Sequence, residues 1–178
     1  MAQMVRFLRG ANPRSVDRRF KIEENMDKSK IPTAQRQALG ALLDDHRAVK
    51  KLFKSFEENK SGKQAIASET CHQLEIHAQL EEEIFYPALR GVSDKLDDML
   101  DEAKVEHGVA KDLIAAIRNA ADSDTLDATY KVLTEYVGHH VEEEESEMFE
   151  TVIKRNVDLR EVATQMAARK EELLAVPA

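Results

Sequence analysis

The sequence predicts an all-α fold, an antiparallel up-down four-helix bundle preceded by a basic arm and followed by a fifth helix. Three observations carry that expectation. Charged residues make up 34% of the chain and aromatic residues only 5%, with four prolines and six glycines, a balance that favours long amphipathic helices over sheet. Apolar residues recur at alternate spacings of three and four in four long runs. The runs are separated by short breaks at Ser61-Gly62, Gly91 to Asp94 and Asp122 to Asp124, so successive helices should be antiparallel neighbours.

Residues 1–32 form the arm, 33–156 the bundle and 157–178 the added helix. Up to Lys21 the arm carries Arg6, Arg9, Arg14, Arg18 and Arg19 against one acid, Asp17. It reads either as a solvated basic segment packing on an acidic body or as an Arg-rich organelle transit segment. The formal net charge of −8 argues against nucleic acid as the main partner. A single cysteine, Cys71, excludes an internal disulfide and suits a reducing compartment, so the cytoplasm is the expected location, with organelle import as the alternative. No apolar run approaches about 18 residues, and no membrane span is expected.

Thr33 is the expected N-cap of the first helix, which carries Leu39, Leu42, His46, Val49, Phe53 and Phe56 on one stripe to about Asn59. The second helix carries Ala67, Leu74, His77, Glu81, Ile84 and Ala88, with Pro87 predicting a kink or a tightened last turn and Gly91 a C-cap. Ser93 or Asp94 caps the third, whose stripe is Leu96, Leu100, Ala103, His107, Ala110, Ile114 and Ile117. The fourth offers Leu126, Tyr130, Leu133, Val137, His140, Glu144 and Met148. Asp158 with Glu161 resembles a capping box opening the fifth helix, whose Leu159, Val162, Met166 and Leu173 would cover the bundle or another subunit.

Each bundle helix thus places one histidine on its core stripe, His46, His77, His107 and His140, and two add a glutamate four residues on, Glu81 and Glu144. The pattern is an internal repeat. Asp45 to Phe53 aligns with Glu106 to Ile114, and HAQLEEEIF from His77 aligns with HVEEEESEM from His140. Two buried carboxylates without a cation would cost several kcal/mol each, so a metal site is expected in preference to a buried polar network. Imidazole and carboxylate without thiolate suit iron, manganese or zinc. Glu81 and Glu144 would bridge two ions, one on His46 and His77 and the other on His107 and His140. Such ions would keep open positions, which suits a small diatomic or peroxide ligand. The neighbours Glu82 and Glu143 are expected to matter little, and the run Glu142 to Glu145 to be solvated apart from Glu144. His139 competes with His140 as a ligand, and Tyr86 is a candidate extra ligand or redox partner, with packing as its other role. Glu69 with His72 is the single Glu-x-x-His pair, where a ferritin-like centre needs two.

The spans LLDDHRAVKKLF, HAQLEEEIFYPAL, VEHGVAKDLI and HHVEEEESEMF, within Leu39 to Ile153, resemble the motifs of the hemerythrin-like, or HHE cation-binding, domain. The resemblance implies a left-handed four-helix bundle around a non-haem centre of two iron ions, oxo- or hydroxo-bridged, with manganese or zinc the less expected metals. It implies His46, His77, Glu81, His107, His140 and Glu144 as ligands, and a protein that binds, senses or detoxifies dioxygen, peroxide or nitric oxide. Oxygen-carrying members have a fifth histidine four residues away on the third helix, where this chain has Ala103 and Lys111. The other reading from these residues is a non-enzymatic iron-binding or iron-sensing module, or a metal-stabilised interaction protein. A protein partner or homo-oligomer would use the arm or the fifth helix.

Overall fold

The computed structural model describes residues 26–175. Residues 1–25 of the basic arm lie outside the described residues, and the two readings of the arm are untouched. After a 3-10 turn at Lys28–Lys30 come α1 (Thr33–Glu58), α2 (Lys63–Leu80, continuing through Glu81–Phe85 to Tyr86–Leu89), α3 (Asp94–Arg118), α4 (Ser123–Glu143, continuing through Glu144–Met148 to Phe149–Lys154) and α5 (Arg160–Leu174). No described residue is in a strand, and no described helix is long and apolar enough to cross a membrane.

The helix starts follow capping chemistry with two departures from expectation. Ser93 accepts from the Leu96 amide and Asp122 from the Thr125 amide. Pro32, not Thr33, stands at the head of α1, and its carbonyl accepts from Gln35 and Arg36. The capping box at α5 does not form: Asp158 bonds the Arg160 amide and side chain, while Glu161 accepts from Gln165. Gly62 and Gly91 take the left-handed backbone, φ 74° and 81°, that joins α1 to α2 and ends α2.

The larger departure lies inside α2 and α4. At Glu81–Phe85 and again at Glu144–Met148 the helix widens into a π-turn, closed by Tyr86 N–H to Glu81 O and Phe149 N–H to Glu144 O. Pro87 therefore sits just past a widened turn, not the kink or tightened turn its ring predicts. The second π-turn has no proline, so proline is not the common cause; both begin at the carboxylates Glu81 and Glu144. Each π-turn delays the inward stripe by one residue. In α2, Phe85 and Leu89 are buried whereas Ile84 is half-buried and Ala88 exposed; in α4, Phe149 and Val152 join Met148 in the core.

The polar stripe residues divide the core in two. Leu39, Leu43, Leu80, Phe85, Leu100 and Phe149 belong to an apolar cluster on one side. Val49, Phe53, Cys71, Leu74, Tyr130 and Leu133 belong to one on the other. The Tyr130 hydroxyl within the second cluster is satisfied by Thr70 at 2.7 Å. The fifth helix covers its own bundle: it packs on α1 and α2 through Leu159, Ala163 and Met166. Its entry is fixed by Leu159 N–H to Ala34 O at 3.0 Å and by the buried Gln35 amide donating to Val157 O at 2.6 Å.

Phe53, 2% exposed, is wedged edge-on against Tyr130 with no polar partner to replace it. Phe53→Ala should lower the unfolding free energy by about 3–5 kcal/mol, measured by urea denaturation.

Candidate metal centre

The four stripe histidines meet between the two apolar clusters with their Nε2 atoms turned inward. His46 and His77 face each other at 3.3 Å and His107 and His140 at 3.2 Å, with ring planes inclined 65° and 68°. The two hairpins are thus near-copies of one another. Glu81 Oε2 lies 3.2 Å from His77 and 3.4 Å from His107, spanning both pairs. Glu144 Oε2 lies 3.3 Å from His46 and 3.6 Å from His140 and does the same from the other side. All six side chains are buried. His139 is half exposed and turns to Glu143 at 3.2 Å, so α4 presents His140 inward, as its stripe predicts. Glu69 and His72 lie outside these groups.

Around the six stands a second ring of carboxylates that lie off the apolar stripe of their helices. His46 Nδ1 faces Glu145 at 2.9 Å, His107 Nδ1 faces Glu82 at 2.9 Å and His140 Nδ1 faces Glu106 at 2.7 Å. His77 Nδ1 has Asp45 nearest, at 3.8 Å. The expectation that Glu145 is solvated is corrected, and Glu82 also turns toward a histidine: the π-turns bring two consecutive glutamates of each helix inward, one to the centre and the next to a histidine of the neighbouring hairpin. Lys111 binds Glu82 at 2.7 Å and Lys50 binds Glu145 at 3.2 Å. A signal was present, since the repeat aligns Asp45 with Glu106, Lys50 with Lys111 and Glu82 with Glu145.

Tyr86 closes one side. Its hydroxyl donates to Glu144 Oε1 at 2.8 Å and stands 3.4 Å from Glu81 Oε2 and 3.5 Å from His107 Nε2. Burial first, and the charges of Glu144 and Glu81 next, hold its pKa well above the ordinary phenol value.

The donor set asks for a cation. A carboxylate at Nδ1 places the imidazole proton there, which leaves Nε2 a bare lone pair aimed at another Nε2 and at a carboxylate oxygen. Glu81 Oε1 and Glu144 Oε2 have no hydrogen-bond donor despite complete burial. With protons as the only counter-charge, burial would lower the imidazole pKa values. Yet hydrogen bonds donated to Glu144 and Glu145 push His46 up to about 9, and the charge of Glu144 with the bond donated to Glu106 pushes His140 to about 9. Burial would raise Glu144, but His140 and His46 hold it far below the usual carboxylate range. Two groups of donors lie close enough to hold an ion each: His46, His77, Glu81 and Glu144, and Glu81, His107 and His140. A third, Glu106, His139 and Glu143, lies toward the surface.

A profile of the hemerythrin HHE cation-binding domain matches residues 37–152. The chain belongs to the hemerythrin HHE cation-binding family. Within this hemerythrin-like chain the match runs from Gln37, four residues into α1, to Val152 in α4 and leaves α5 outside. No curated protein and no solved structure matched the chain. Membership supports a metal-binding, hemerythrin-like function, and the His/Glu groups fit a metal site.

The raised imidazole pKa values have a consequence for stability. A histidine that titrates near 9 when folded and at 6.5 when unfolded contributes stability fully below pH 6.5 and loses it as pH climbs to 9. The melting temperature of chelator-treated protein should therefore fall over that window, and His46→Gln should flatten the slope, as read by calorimetry.

Proposed function

We propose that this chain is a non-haem di-iron protein of the hemerythrin type that binds, senses or removes dioxygen, peroxide or nitric oxide. The observation that carries this reading is the doubled donor set, two imidazole pairs spanned by two carboxylates with six inward side chains in a twofold arrangement. His46 and His77 would hold one ion and His107 and His140 the other, with Glu81 and Glu144 shared. Two iron ions so held would supply the electrons and exchangeable positions that reaction with a small oxidant needs. The cytoplasm fits this reading and its single, buried, reduced cysteine.

The surroundings favour a small ligand. A cavity of about 40 Å³ beside the four histidines is walled by Val49, Leu74, Ala110, Ile114, Val137 and Val141. Asp45, Glu75, Glu106 and Lys111 also border it, and it has room for a diatomic molecule or peroxide. One turn before His107 on α3, Ala103 lines a second cavity of about 70 Å³ that reaches His140 and Glu144. Lys111, the other flanking position, is committed to Glu82. Neither supplies a fifth histidine. Tyr86 is placed to give a hydrogen bond to Glu144, which steadies that carboxylate and offers a proton beside the centre.

Elemental analysis of protein expressed with adequate iron tests the reading: about two irons per chain are expected, and a folded chain without metal would sink it. Glu81→Ala or Glu144→Ala should lose at least one ion. Glu82→Ala and Glu145→Ala should weaken binding by about 10–100-fold, as loss of a carboxylate behind a ligating histidine does. Glu143→Ala should leave both ions in place. Isothermal titration with each variant ranks them.

Stopped-flow mixing of reduced, iron-loaded protein with oxygen should show oxidation of the centre. Oxygen uptake that reverses fully under vacuum over many cycles would mean that the missing fifth histidine does not prevent reversible carriage.

A further inference from the structure

The outer ring of carboxylates is broken at one place. Glu82, Glu106 and Glu145 each approach a histidine Nδ1 within 2.7–2.9 Å. His77 Nδ1 has no hydrogen-bond partner although the residue is 6% exposed, because Asp45 Oδ2 stays 3.8 Å away, too far for a hydrogen bond. The other oxygen of Asp45 is gripped by the ammonium of Lys170 on α5. The repeat aligns Asp45 with Glu106, which directs its carboxylate to His140. α5 packs on α1 and α2, the hairpin that contains Asp45, and so brings its lysine to one half of the repeat.

We propose that Lys170 is a positioning residue that holds Asp45 away from His77 and so weakens the hold on a cation at the His46/His77 end of the centre. The inference rests on the metal-centre reading above. A carboxylate behind a ligating imidazole fixes the ring and raises its basicity. Lys170 occupies Asp45, so His77 lacks the hydrogen bond that fixes the other three rings. The fifth helix thereby lowers how strongly the cation at that end is held. The docking of α5 does not depend on this contact alone, since Arg169 binds Glu83 at 2.8 Å and Leu159, Ala163 and Met166 are buried.

The test is Co²⁺ titration of chelator-treated full-length protein against a competing chelator. Wild type should show two binding steps, and His77→Ala should identify the step of the His46/His77 end by removing it. Lys170→Met keeps the apolar stem of the side chain and frees Asp45. It should tighten that step by about tenfold, at the lower end of the range for such carboxylates, and leave the other unchanged. Arg169→Gln, which breaks the neighbouring ion pair, should leave both steps as they are. Lys170→Met that weakens that step or leaves it alone, or Arg169→Gln that reproduces its effect, would overturn the proposal. In parallel, nitrogen-15 histidine spectra of the chelator-treated proteins should show His77 Nδ1 becoming hydrogen-bonded in Lys170→Met alone. An unchanged His77 signal would also overturn the proposal. Wild type that takes up no cation would defeat the metal-centre reading, while the spectra, which need no metal, would still decide whether Lys170 restrains Asp45.

Discussion

Two buried carboxylates, Glu81 and Glu144, set the terms for the rest of the bundle. Each is fully enclosed, each has an oxygen without a donor, and each lies between histidines of different hairpins. Negative charge at that depth is tolerated only beside compensating positive charge. The four imidazoles, as imidazolium or as ligands of a cation, are what the fold offers. The outer carboxylates Glu82, Glu106 and Glu145 then aim those imidazoles, and Lys50 and Lys111 hold two of these acids in turn. Charge alternates from the centre outward, so no shell is left alone in a low dielectric.

This layered polarity also explains the division of the core. An uninterrupted apolar interior would leave no room for six polar side chains, so the bundle packs Phe85, Phe149 and the leucines to one side and Phe53, Phe56 and Tyr130 to the other. His46 stacks parallel to Phe149 at 6.0 Å, which passes the rigidity of the apolar cluster directly to a ring of the centre.

Helical periodicity made the four helices, the four histidines and the two inner glutamates legible, because each falls three or four residues from an apolar neighbour on one stripe. The same periodicity misplaced Ile84 and Ala88, since a π-turn shifts the register by one residue and leaves no mark in a pattern of apolar spacing. Glu82 and Glu145 were hidden by that shift: in an unbroken α-helix they belong to the solvated flank. Tyr86 was visible as a candidate but not as a donor to Glu144, which comes from another hairpin. Lys170 was invisible, because it lies 125 residues from Asp45 and its own helix carries no sign of which surface it covers.

The π-turns also fix the phase between the two halves of each long helix. Straightening Glu144–Met148 into regular α-geometry with every residue kept would rotate the segment beyond by about 100°. Phe149 and Val152 would then yield their places to Met148 and the half-buried Thr151. The widened turn is thus the less stable backbone and at the same time the sole phase in which the ligand half and the packing half of the helix face the same way. Each helix behaves as two helices of fixed relative phase, and the hinge between them begins at the glutamate of the centre.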